Sequence, residues 1–214
     1  MRIINKGSEP LSLATWKRKN PYKYYTDLDP NIRQEIRQHA LKEQFHLCAY
    51  CCQRIEDIST CHNEHLEAQS LNPKRTLDFT NIIASCNTLN QCGNAHGSQP
   101  LPLTPLMTEC ETELRFKISG RVEGLSDQAT STIQILNLGD QEKNNRALIE
   151  KRKQLVNALL FKHSVDPDEG LEDEELLRLL IDDMAEPKQG QLDPFAPVVI
   201  NILRSWLQSE EPKI

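Results

Sequence analysis

A chain of 214 residues with 38% apolar and 26% charged residues has a globular composition, with room for one good core or a small site-bearing module wrapped by helices. Mean hydropathy of −0.56 implies a modest core, and there is no apolar run of the 18 residues that a membrane-spanning helix needs. The net charge of −6, from 25 basic and 31 acidic residues, argues against gripping nucleic acid by bulk electrostatics.

That charge is unevenly spread. Residues 1–50 carry nine Lys/Arg against five Asp/Glu, with Lys17, Arg18, Lys19 and Lys23 beside Trp16, Tyr22, Tyr24 and Tyr25. Residues 126–214 carry ten against seventeen. The front end suits a phosphate backbone, the rear end a protein partner, and each equally suits a solvated face. The first twenty residues lack the apolar segment of a secretory signal, so the expected location is the cytoplasm.

In chain order, Asp29-Pro30 is an N-cap and first-turn pair, and Ile32, Ile36, Ala40 and Leu41 then recur at helical spacing to about Phe45. Residues 48 to about 100 are rich in Asn, Cys and Gly and poor in apolar residues, so this segment needs a staple. Leu114, Phe116 and Ile118 alternate with Arg115 and Lys117 ahead of Ser119-Gly120, which predicts a short hairpin. Asp140 is expected to cap a helix with Leu148, Leu155, Val156, Leu159 and Leu160 on its apolar face. The acidic stretch 166–175 leads into a helix bearing Leu176, Leu177, Leu179, Leu180 and Met184, and a last helix is expected after Asp193-Pro194. No internal repeat or low-complexity tract interrupts this order.

Seven cysteines are an odd number for a disulfide framework, and a reducing compartment leaves them free to bind metal. Cys48 and Cys51 form C-x2-C, and Cys86 and Cys92 a looser C-x5-C. Two such pairs can close a tetrahedral zinc shell and supply folding energy that this core lacks. Cys52, Cys61 and Cys110 are spare; Cys52 or Cys61 could replace one ligand, and His62 and His96 are further possible ligands.

Between the cysteine pairs lie Glu64-His65 and then Asn81, followed by Cys92-Gly93-Asn94-Ala95-His96-Gly97. This order resembles the HNH endonucleases. It is most similar to the PtuB-like nuclease subunits of Septu-type and retron-associated anti-phage systems, through CAYC, the block Asn81 to Asn87, the block Cys92 to Gly97, and the downstream run IQILNLGDQEKNNR. The resemblance covers residues 10 to 160, most specifically 48 to 97.

It implies an α+β fold with a ββα-metal (HNH) core, stapled by the four-cysteine zinc site and surrounded by α-helices. Residues 1–47 would be a basic, aromatic segment and helix, 48–125 the nuclease core, and 126–214 an acidic helical region. His65 matches the general base and Asn81 the residue that orients it. Glu64 matches an acidic ligand of a catalytic Mg²⁺ or Mn²⁺, and the third motif position falls on Asn94 or His96, with His96 favoured. Neighbouring strand side chains point to opposite faces, so Glu64 and His65 share a site only where the strand ends or bulges, and Asn63 and His62 are alternative neighbours. Ala68 stands where the family usually has proline. The implied partners are DNA and an ABC-like ATPase (PtuA-like), in some systems with a reverse transcriptase and its RNA/DNA product. The competing expectations are an inactive zinc-stapled binding module and a nuclease of the same fold directed at RNA or tRNA.

Overall fold

The computed structural model describes residues 1–141, 144–166, 171 and 173–209. Among these the chain is α+β, with seven α-helices and two separate two-stranded antiparallel sheets. None of the described helices is long and apolar enough to cross a membrane.

Helix α1 (Leu11–Lys19) was not expected from the sequence, and the reason is physical: Leu13 is its one buried residue, so no helical period shows. It joins Leu28, Ile36, Phe79 and Ile82 in a small cluster. Helix α2 (Pro30–Glu43) starts as expected, with the Asp29 carboxylate accepting the Asn31 N–H at 2.8 Å. It buries Ile36, Ala40 and Leu41. Past its end, Gln44 is buried and its amide bridges three backbone groups: Nε2 donates to Leu47 O and Ala84 O, and Oε1 accepts the Ala84 N–H. One side chain thus ties the turn carrying Cys48 to the sheet.

That sheet pairs β1 (Cys61–His65) with β2 (Ile82–Cys86), placing Cys61 opposite Cys86, Glu64 opposite Ile83 and His65 opposite Ile82. Residues 66–81 form the long connection, and the single-turn helix α3 (Gly93–His96) follows β2.

The hairpin of β3 (Leu114–Phe116) and β4 (Val122–Gly124) turns at Gly120 as expected. Gly120 sits at φ +82°, and a Cβ there would lie 2.1 Å from the Ile149 carbonyl oxygen, so neither the turn nor its packing admits a side chain. Helix α4 (Asp127–Ile135), capped by Ser126, was another unannounced element, since Ala129, Thr132 and Ile133 make a weak apolar face.

One expected cap is corrected. Helix α5 (Arg146–Lys162) is capped by Asn145, whose side chain accepts the Leu148 N–H; Asp140 instead accepts from Gln141 N and Asn144 Nδ2, organising the turn before it. Of the acidic stretch 166–175, residues 167–170 and 172 lie outside the described residues. Asp173 caps α6 (Glu174–Ala185), with Glu174 and Glu175 in the first turn where the helix dipole favours them. Leu176 and Leu179 of that helix face outward. Helix α7 (Ala196–Ser209) packs against α5, α6 and β3 through Val198, Val199, Ile202 and Leu203. The main core runs from Met1 and Ile4 to Leu203 and includes the cysteine turn.

Candidate active site and metal centre

Two tight turns and one strand end converge on the cysteine cluster. The first is closed by Cys48 N–H to Gln53 O and Cys52 N–H to Cys48 O, with Cys52 at positive φ. The end of β2 supplies Cys86, and Cys92, also at positive φ, opens α3. The sulfurs of Cys48, Cys51, Cys86 and Cys92 are buried and all lie within 4.8 Å of one another, so the four can hold one metal ion. A tetrahedral zinc thiolate with Zn–S of about 2.3 Å needs such proximity. As thiols the set is strained electrically. Burial pushes Cys51 and Cys92 well above the usual thiol value, while hydrogen bonds from Cys48, Cys51 and Cys92 draw Cys86 far down. A dication resolves that conflict by letting all four ionise together.

Arg152 supplies an independent observation. Its side chain is wholly buried on α5, donating to Gly120 O (2.6 Å) and Leu138 O (3.1 Å) and lying over the Phe116 ring, with Nε unpartnered. It forms no ion pair with any carboxylate among the described residues. Burial lowers its pKa, and the opposing, stabilising charges are those of Cys51, Cys52 and Cys92. A zinc held by four thiolates would carry two negative charges and would serve this guanidinium as a counterion. The remaining cysteines are ordinary buried thiols: burial raises Cys52, and pushes Cys61 to about 11 and Cys110 to about 12.

Glu64 heads a second cluster. It is 7% exposed, and its Oε1 receives the Tyr50 hydroxyl at 3.2 Å and faces His96 Nδ1 at 2.6 Å; its Oε2 faces His62 Nε2 at 3.3 Å. The far nitrogen of each histidine is committed. His96 Nε2 donates to Gln99 O (2.7 Å), and His62 Nδ1 donates to Asn87 Oδ1 (2.8 Å), an amide whose orientation is set by its Nδ2 donating to Ser59 O. Each neutral ring therefore turns a lone pair towards the carboxylate, the usual arrangement of a metal-ligating imidazole. Without a cation, protons take that place. Burial opposes the His96 charge but Glu64 raises its pKa above the usual value; Glu64 raises His62 likewise, and the two rings hold Glu64 low against its burial. Gly93 makes room for this: a Cβ there would lie 2.6 Å from His62 Nε2 and 2.7 Å from Glu64 Oε2.

Of the two candidates for the third motif position, His96 is the one brought to Glu64. Asn94 is exposed, its Oδ1 accepting the Asn90 N–H. Asn63 is turned the other way, donating to Tyr25 Oη and Arg33 O.

His65, the last residue of β1, leaves on the face opposite Glu64, as strand alternation requires. Its Nε2 meets Thr76 O at 3.0 Å and its ring stands edge-on to Tyr25, centroids 4.8 Å apart. A carbonyl only accepts, so Nε2 carries the hydrogen and Nδ1 of the neutral ring is an acceptor. Burial lowers the His65 pKa, keeping the ring neutral at pH 7.

Of the two ways in which Asn81 could orient His65, through the ring nitrogen or through the backbone, its side chain bonds only backbone groups. It spans the neck of the 66–81 connection instead: Oδ1 accepts Glu67 N–H (2.9 Å), Nδ2 donates to Glu67 O (3.0 Å) and Arg75 O (3.4 Å), and its own carbonyl accepts Leu66 N–H. Sequence reasoning missed Tyr50, Thr76, Gly93 and Arg152, which act through backbone carbonyls, space or long-range charge. His62 was legible, since i and i+2 on a strand share a face.

No family model and no curated protein matches this chain. Its reading therefore rests on the geometry above and on the sequence resemblance.

Proposed function

We propose that the chain is a metal-dependent endonuclease of the HNH type, with β1, β2 and α3 as its ββα-metal core, and that it cleaves DNA as the effector subunit of an anti-phage complex. What supports this reading is the buried cluster of Glu64, His96 and His62 together with the neutral, carbonyl-anchored imidazole of His65 on the other face of β1. Because His65 is the last residue of that strand, a shared site requires the phosphodiester to reach both around the strand end.

In this reading His65 Nδ1 takes a proton from water while Nε2–H stays on Thr76 O, which stabilises the imidazolium as it forms. The hydroxide oxygen attacks phosphorus and the 3′ oxygen departs. Tyr25 and the clamped loop hold the ring in place. Glu64 and His96, joined by His62, are the residues that would hold the catalytic cation. When bound, that ion would neutralise the phosphate and the departing oxygen. Of Mg²⁺ and Mn²⁺, a carboxylate with two imidazoles suits Mn²⁺ better, because Mg²⁺ prefers an all-oxygen shell. The four cysteines would hold zinc as a structural ion.

The chain contains no GxxxxGK[ST] run, so nucleotide control would come from an ATPase partner of the ABC-like (PtuA-like) kind. A reverse transcriptase with its RNA/DNA product is the further partner that the resemblance suggests. The test is cleavage of duplex DNA, single strands and tRNA with Mn²⁺ or Mg²⁺, by the chain alone and with its genetic neighbours. His65→Ala should abolish DNA cleavage while leaving zinc content and thermal unfolding unchanged. Undiminished cleavage by His65→Ala refutes the assignment of the base, preference for tRNA moves the substrate to RNA, and inactivity of every preparation leaves a zinc-stapled binding module.

A further inference from the structure

The basic, aromatic stretch near the N-terminus forms one wall of a groove of about 580 Å³ lined by Lys17, Tyr22, Lys23, Tyr24, Lys74 and Thr76, among others. The opposite wall, residues 73–78, belongs to the same connection that anchors His65: the Thr76 whose carbonyl receives His65 Nε2 lines the groove. A chain lying there therefore passes along the loop that anchors the proposed general base.

Three features of the lining need an account. Tyr22 is 91% exposed and Tyr24 51%, and among the described residues neither ring packs on another ring or a cation. Lys74 is exposed and makes no ion pair among the described residues, and the pairs of Lys17 with Glu9 and Lys23 with Asp27 are partly solvated and so weakly held. Three lysines face a single lining carboxylate, Asp78, which Arg75 already neutralises at 2.9 Å. The basic last turn of α1 also suits its helix dipole, but that explains neither the open tyrosine rings nor Lys74.

We infer that this groove binds a single-stranded nucleic acid, with Tyr22 and Tyr24 stacking on bases and Lys17, Lys23 and Lys74 contacting phosphates. Stacking on aromatic rings needs unpaired bases, whereas a duplex offers the groove only its backbone. The inference rests on the proposed function for its direction towards His65 but not for its test, because binding is read without cleavage. It also meets the overall negative charge, since local lysines and stacking replace a bulk basic surface.

The test is fluorescence anisotropy at low salt of labelled oligothymidylate, oligouridylate and a blunt DNA duplex, using full-length His65→Ala protein without added Mg²⁺ or Mn²⁺. Single strands should bind more tightly than the duplex, and comparison of the first two probes separates DNA from RNA. Tyr22→Ala with Tyr24→Ala should weaken single-strand binding by tenfold or more, at about tenfold per stacked base. Lys74→Glu should weaken it and flatten its salt dependence. These side chains are exposed, and unchanged zinc content and unfolding temperature verify the fold. Equal affinity for duplex and single strand, no effect of the double tyrosine substitution, or no binding to any probe overturns the inference. Groove binding without cleavage by the parent protein, alone or with its genetic neighbours, would refute the proposed function alone.

Discussion

His65 and Asn81 grip consecutive carbonyls of one loop: Asn81 Nδ2 donates to Arg75 O at 3.4 Å, and His65 Nε2 donates to Thr76 O at 3.0 Å. The carboxamide thus acts on the imidazole through the backbone between them. It holds the loop whose carbonyl selects the tautomer and leaves Nδ1 as the acceptor.

Asn81→Ala removes three hydrogen bonds across the neck of that loop. With about 1 kcal/mol per bond and part-buried Glu67 and Arg75 backbone groups left to find water, a loss of about 1–3 kcal/mol is expected. Hydrogen exchange should accelerate in residues 66–76 while the cysteine turn stays protected and zinc content holds. Uniform acceleration throughout the chain would show instead that Asn81 supports the whole fold.

Arg152→Met should weaken zinc retention as well as folding. Methionine fills much of the same space without the positive charge, so the two negative charges of the zinc thiolate lose their buried counterion. Competition against a chelator should show at least tenfold weaker zinc binding than wild type. Unchanged zinc affinity with reduced stability would mean that the guanidinium serves only the Gly120 and Leu138 carbonyls.

Gly93→Ala separates two effects of opposite sign. Alanine in a helix is favoured over glycine by about 1 kcal/mol. Here its Cβ would displace His62 and Glu64, which lie within 2.8 Å of it. Mn²⁺ binding followed by electron paramagnetic resonance should therefore fall at least tenfold, with the unfolding temperature nearly unchanged. Wild-type Mn²⁺ binding in this variant would remove Glu64 and His62 from the cation site.

Asp78 gives a pH-dependent signature. Its carboxyl is held below the usual value: burial acts upward, but Thr80 and Arg75 together outweigh it. A depressed native pKa adds stability that is present above the unfolded value and is lost as pH falls through the native one. Asn also caps helices well, so Asp78→Asn isolates the charge interaction with Arg75. The variant should be less stable by about 0.5 kcal/mol at pH 7, as for exposed pairs. The deficit should persist at pH 5 and disappear only below pH 3.8. Disappearance already at pH 5 would mean that the carboxyl is not held down.

Much of the candidate metal centre was legible in the sequence because cysteines spaced as pairs and rare in other roles announce it, and the four nominated sulfurs do converge. Helix α2, the β3–β4 hairpin and the final helix were legible because capping and alternation are local. Helices α1 and α4 were not, since each buries too few apolar residues for a period to show. The α5 cap was misread because Asp140 and Asn145 both carry capping side chains and only the path of the turn chooses between them.

By itself, the order of Cys, Glu, His and Asn along the chain determined which side chains were candidates, since ligand chemistry belongs to residue type. Tertiary structure alone decided their partners. It turned His96 rather than Asn94 towards Glu64, brought His62 into the same cluster, and put Thr76 rather than Asn81 against the imidazole. Those choices depend on strand register, on a loop closed through its carbonyls and on the space left by one glycine, which are relations between residues far apart in the chain and invisible in their order.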